Sequence, residues 1–237
     1  MHGGVAKSMS KRESLTLWYR QPAQEWVEAL PVGNGRLGAM VFGGVSKERI
    51  QLNEETVWAG HPIDRDRKGA YQYLQEAREL IFAGEHVAGE QLMQEHFMAE
   101  RLIRSYQTLG DLWLEFDGLP QATDYHRELD LRRAVTRVSF VAGGVRFSRE
   151  AFASAQDQVI VIRLDASQAG ALTFAITMNR PVCYEVHTSG SDSLVLSGQA
   201  NCGKKTAGVR FAGCLQVLAD SGEVWATSQG LHVDRAD

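Results

Sequence analysis

The chain has 237 residues, with 25 Lys plus Arg against 29 Asp plus Glu and a formal charge of -4, which gives no electrostatic case for a polyanionic partner such as nucleic acid. Hydrophobic residues make up 44% and charged residues 23%, the balance of a globular chain of one large or two small domains and not of a disordered one. No apolar stretch approaches the roughly 18 to 20 residues of a membrane-spanning helix, so no membrane partner is expected.

In chain order, residues 1–14 (MHGGVAKSMSKRES) read as a flexible N-terminal tail. They lack the apolar core of roughly 7 to 15 residues that a secretory signal requires. Alternating apolar and polar residues predict strands at Leu15 to Arg20, Leu37 to Phe42, Arg49 to Leu52 and Asp111 to Phe116. Between the last two, Tyr71, Leu74, Ala77 and Ile81 recur at helical spacing and Leu92 continues their register. This predicts a helical hairpin near residues 68–99, broken at Gly84 by a left-handed cap, with Leu74, Ala77 and Ile81 packed on the strands.

Beyond Phe116 the pattern is almost wholly β. Strands are expected at Thr123 to Leu131, Ala134 to Val141, Val145 to Phe152, Val159 to Leu164 and Leu172 to Met178. They continue at Val182 to Thr188, Leu194 to Ser197, Val209 to Leu218, Glu223 to Ala226, and from Leu231 onward. Gly143-Gly144 and Ser221-Gly222 have the chemistry of tight hairpin turns. The expected fold is mainly β: a large antiparallel β-sandwich over residues 15–237 with one helical insert. Three cysteines, Cys183, Cys202 and Cys214, with no CxxC pair, suggest neither a disulfide framework nor a zinc site. With no signal peptide, a cytoplasmic location is the expectation.

Several motifs invite a chemical reading. Gly33-Asn34-Gly35-Arg36-Leu37-Gly38 is a literal GxGxxG. A dinucleotide site needs a central strand before that motif and a helix after it. Here Pro31 precedes it and the β-like run Ala39-Met40-Val41-Phe42 follows, so a Gly-rich turn entering a strand is the favoured reading, and no cofactor is expected. Glu54, Glu55, Asp64 and Asp66 form an acidic cluster. Paired carboxylates are what glycoside hydrolysis uses, but adjacent strand residues point to opposite faces, and solvated surface acids explain them more simply. The seven histidines show no tight ligand spacing and no GxSxG elbow occurs, so no metal and no nucleophilic triad are expected. Trp18, Tyr19, Trp26 and Trp58 crowd the first sixty residues, as core packing or as platforms for sugar rings.

Three ordered blocks decide among these readings. The first is Trp18-Tyr19, Pro22-Ala23, Trp26 and the run from Glu28 to Gly44; the second is Gln51-Leu52-Asn53-Glu54 with Thr56, Trp58, Gly60 and Pro62. Ser105-Tyr106-Gln107 followed by Leu109-Gly110-Asp111-Leu112 is the third. Together they resemble the N-terminal domain of glycoside hydrolase family 95, the α-L-fucosidase family. The resemblance implies a β-super-sandwich that packs on a catalytic barrel of paired helices, in an enzyme that hydrolyses terminal α-L-fucosides with inversion. It also implies that the acid and base residues lie in that barrel. This chain, ending within or just after the first domain, is therefore expected to be inactive alone, with no catalytic residue of its own. The barrel and, in the full-length enzyme, a fucosylated oligosaccharide are the implied partners. The substrate- or barrel-facing candidates are Asn53, Glu54, Trp58, His61, Tyr106 and Gln107. A free-standing carbohydrate-binding module is the alternative.

Overall fold

The computed structural model describes residues 15–61, 64, 66–99, 104–205 and 207–237; the expected tail at 1–14, and Pro62 of the second block, lie outside them. The strands are β1 (Thr16–Tyr19), β2 (Leu30–Gly33), β3 (Leu37–Val41), β4 (Lys47–Glu54) and β5 (Gly110–Glu115). A central group follows: β6 (Thr123–Asp130), β7 (Val135–Ala142), β8 (Val145–Ser154), β9 (Val159–Ala166) and β10 (Leu172–Asn179). The last are β11 (Tyr184–Ser189), β12 (Ser193–Gln199), β13 (Arg210–Gln216), β14 (Glu223–Ala226) and β15 (Leu231–Ala236). A one-turn helix, Ala70–Tyr73, leads into α1 (Leu74–Phe82) and α2 (His86–His96).

Three antiparallel sheets result. A seven-stranded sheet runs β14-β15-β10-β5-β4-β3-β2, a five-stranded sheet β1-β6-β7-β8-β9, and a three-stranded sheet β11-β12-β13. The five-stranded sheet lies over β2 and β3, and the three-stranded sheet lies beside β10. One continuous core joins Ile50, Leu112, Leu114, Ile176, Phe140 and Leu196, drawn from all three sheets. This is the expected β-sandwich with its helical insert. Alternation places these side chains inward and leaves their sequence neighbours Arg49, Gln51, Asp111 and Trp113 on the outer face.

Pro31 sits in β2, a strand the alternation pattern did not announce, at the edge of its sheet where a missing N–H breaks no ladder. The GxGxxG segment is the β2–β3 hairpin loop: Gly33 pairs with Gly38, Gly35 has φ 95, and the Asn34 carboxamide accepts from the Arg36 and Leu37 amides. Gly143-Gly144 turns β7 into β8 as expected. Ser221-Gly222 does not make a hairpin: β13 and β14 lie in different sheets, and the segment crosses between them. A side chain at Gly222 would collide with the carbonyls of Asp234 and Arg235, so the glycine serves close backbone approach. The strand begun at Leu231 is paired on both sides, with β14 and with β10.

Two further expectations are overturned. Cys183 and Cys202 form a disulfide, with Cα atoms 5.9 Å apart, and only Cys214 is free. The β11–β12 hairpin brings its two flanks together, and the Gln199 amide donates to the Cys183 carbonyl at 3.3 Å. A spacing of 19 residues carries no short motif, so counting cysteines missed it. Secondly, the helical insert does not dock on the sandwich by its Leu74, Ala77 and Ile81 face. Gly84, at φ 82, ends α1 as expected, but α1 packs on α2 and on the one-turn helix before it, and no strand packs closely on it. Gly89 of α2 admits Ile81 and Leu80 of α1, and Tyr73 stacks on His96 at 3.6 Å. Leu74 and Ile81 stay 40% and 41% exposed.

The deepest polar feature is a buried ion pair. Arg149 donates to Glu48 at 3.2 Å and to the carbonyls of Gly44 and Val45, while Glu48 accepts the Gly43 amide at 2.7 Å. Burial pushes the Glu48 carboxyl up, and Arg149 opposes that only in part. With both Glu48 oxygens and both terminal nitrogens of Arg149 bonded, the pair ties the β3–β4 turn to the five-stranded sheet.

Candidate functional site

The second and third sequence blocks meet at one end of β4 and β5. After β4 the chain turns through Glu54, Glu55 and Thr56, and returns beside residues 104–109 that lead into β5. Main-chain bonds zip the two together: the Ala59 amide donates to the Ser105 carbonyl at 2.9 Å, Gln107 to Val57 at 2.9 Å and Leu109 to Leu52 at 3.0 Å. Trp58 and Tyr106 face each other in an isolated antiparallel bridge with ring centroids 5.2 Å apart. Beneath them Val57, Leu109 and Ala200 form a small apolar cluster that anchors the loop.

The side chains divide by what holds them. The Glu54 carboxylate accepts from the Thr56 amide at 2.8 Å and from its hydroxyl at 2.6 Å, with Arg36 at 3.6 Å. Those bonds shape the turn and engage the carboxylate. The Trp58 indole donates to the Glu55 carbonyl at 2.9 Å, and the Tyr106 hydroxyl donates to the Glu54 carbonyl at 3.0 Å. Partial burial raises the Tyr106 pKa, and the nearby charges of Glu54 and Glu55 add to that, which keeps the phenol a donor at neutral pH. Gln107 accepts from Arg180 at 2.7 Å; Arg180 also donates to the Thr108 and Val182 carbonyls and lies over the Phe211 ring. Gln107 thus orients an interior arginine.

Asn53, paired with Gly38, projects with Gln51 to the outer face of the seven-stranded sheet, and hydrogen-bonds to none of the other five candidates among the described residues. His61 lies with Trp58 on an open depression of about 520 Å³, whose remaining wall is Ala59, Gly60, Arg104, Ala207, Gly208 and Val209. Of the six candidates, then, Glu54, Trp58 and Tyr106 share direct contacts, His61 adjoins them, Gln107 faces inward and Asn53 faces away. Arg104 and Arg180 escaped the sequence reading. Arg104 stands immediately before the Ser105-Tyr106-Gln107 block, and only its position against Gly60 reveals it. Among the described residues, no group of three or more His, Cys, Asp and Glu side chains is placed to hold a metal ion.

Chemically, this end of the sandwich offers exposed aromatic surface, a guanidinium and main-chain groups. One of its carboxylates, Glu54, is committed to a turn, and inverting hydrolysis uses two carboxyl groups about 6.5 to 9.5 Å apart.

Residues 17–237 match the family described as "Glycosyl hydrolase family 65, N-terminal domain". A protein of Arabidopsis thaliana named alpha-L-fucosidase 2 is 34% identical over 247 residues, covering 94% of this chain and 29% of that protein. A probable alpha-fucosidase A of Aspergillus niger is 35% identical over 148 residues, 60% of this chain and 18% of its own length. A probable alpha-fucosidase A of Aspergillus oryzae is 25% identical over 177 residues, 70% of this chain and 24% of its own length. The chain therefore spans less than a third of the length of the curated relatives it matches.

Proposed function

The chain belongs to the glycosyl hydrolase family 65, N-terminal domain, family, and from that premise we propose that it is the N-terminal β-sandwich domain of an α-L-fucosidase of the glycoside hydrolase family 95 type. The observation that carries this reading is the 34% identity to alpha-L-fucosidase 2 across 94% of the chain. The three blocks quoted above favour family 95 as the finer assignment.

In this reading the full-length enzyme removes terminal α-L-fucose with inversion, using two carboxyl groups of a barrel of paired helices. The sandwich is a rigid support. The zipped loop of residues 53–61 and 104–109 faces the barrel, with Trp58 and Tyr106 presenting apolar surface to it or to the sugar entrance. The engagement of Glu54 by Thr56 supports a structural part for that carboxylate in place of acid–base work.

The purified chain should leave an aryl α-L-fucoside at buffer background. Adding a helical barrel domain of the family 95 type as a separate polypeptide should raise the chain's melting temperature, because a partner that binds only the folded state stabilises it. Turnover by the chain alone that survives repurification, or a melt indifferent to the barrel, overturns the proposal.

A further inference from the structure

Arginines that leave bulk water in this protein are bonded. Arg127 donates to the Gln21 and Glu28 carbonyls, both at 2.7 Å. Arg149 and Arg180 are bonded as described, and Arg49, whose Nε also lacks a partner, reaches Asp111 through a terminal nitrogen at 3.0 Å. Arg104 differs. It is half-buried, its Nε is shut from solvent with no hydrogen-bond partner, and it forms no ion pair among the described residues. Its stem lies across Gly60 so closely that any side chain there would collide with it, and Gly208 is packed as tightly on the main chain of Trp58 and Ala59. Gly60 is the floor on which the arginine stem rests. Among the described residues no acid lines the depression. A guanidinium partly drawn from water, with no carboxylate beside it among the described residues, favours an anion.

The surroundings specify what carries the anion. The depression, at about 520 Å³, falls within the range of small-molecule sites and is far larger than one carboxylate needs. Trp58 stands at its edge 46% exposed, with Tyr106, 42% exposed, packed against it, and both are amphipathic rings of the kind used where one end of a site is apolar and the other wet. An aromatic wall beside a planar donor suits a ring with an apolar C–H face and a charged substituent.

We propose that this depression binds an acidic sugar unit of a glycan, with Arg104 pairing its carboxylate or sulfate ester and Trp58 stacking on its ring. The anion follows from Arg104 alone; the choice of a sugar as carrier rests on the glycosidase reading above.

The test is direct binding by the chain, followed by tryptophan fluorescence and calorimetry. Four probes of equal length are compared: a uronate oligosaccharide, a sulfated fuco-oligosaccharide, a neutral fuco-oligosaccharide and a Glu-rich peptide. At least one acidic sugar should bind saturably and about tenfold or more tighter than the neutral one. Arg104→Gln should remove that advantage, Arg104→Lys should restore part of it, and Trp58→Phe should weaken both sugars together. Should Arg104→Gln fail to fold, raising salt on the native chain must selectively weaken the acidic probe. Equal binding of neutral and acidic sugars, no saturable binding, or affinity untouched by Arg104→Gln and by salt overturns the proposal. Preference for the Glu-rich peptide assigns the pocket to a protein carboxylate and overturns it as well. Because no turnover is read, failure here is distinguishable from failure of the fucosidase assignment.

Discussion

The sandwich and the helical hairpin are both built from regularly patterned apolar residues, and they end in opposite conditions. In β5, Leu112 and Leu114 alternate with Asp111 and Trp113 and finish 1% and 3% exposed, because a second layer lies over that face. In α1, Leu74 and Ile81 recur at helical spacing and finish 40% and 41% exposed, with Phe82 at 85%. Among the described residues the two helices of the hairpin close mainly on each other, through Ala77 and the Gly89 crossing. Periodicity thus specifies which side of an element is apolar, while coverage depends on whether a surface of matching size stands opposite. The sandwich supplies one for each sheet, and two short helices supply each other with only a narrow seam.

Substitutions on the two regions should separate accordingly. The largest effect is expected from Arg149→Ala, which strands Glu48 inside the sandwich without its counter-charge. Urea unfolding should show a loss of about 3–5 kcal/mol, and a loss below about 1 kcal/mol would mean that the pair is not closed to water. Next comes Leu114→Ala, expected to cost about 2–5 kcal/mol by the same measurement, since it opens a cavity between sheets. Smallest is Leu74→Asp in the hairpin, expected within about 0.5 kcal/mol of the parent, as for a surface change. If Leu74→Asp proves as damaging as Leu114→Ala, the hairpin is docked on the strands and the contrast collapses.

The candidate site shows the same division between pattern and placement. Trp58 and Tyr106 were legible because their blocks are distinctive, and the structure places them face to face although 48 residues of sequence separate them. Gln107 read as an outward candidate, yet its amide holds Arg180 in the interior. Asn53 read as part of the loop, yet strand alternation sends it to the outer face with Gln51. Arg104 carried no pattern at all, since an isolated arginine is ordinarily a solvated surface residue.

What the sequence by itself determined is local: where strands run, because alternation is a property of consecutive residues; where α1 stops, because Gly84 accepts positive φ cheaply; and that Gly143-Gly144 turns a hairpin. Tertiary structure alone decided what depends on distant partners. It paired β1 with β6 and set β10 between β5 and β15, joined Cys183 to Cys202 across a hairpin, and sent Ser221-Gly222 from one sheet to another. It also left the Arg104 Nε without a hydrogen-bond partner. These outcomes follow from which surfaces meet and which charges are withdrawn from water, and neither is a property of any short stretch of the chain.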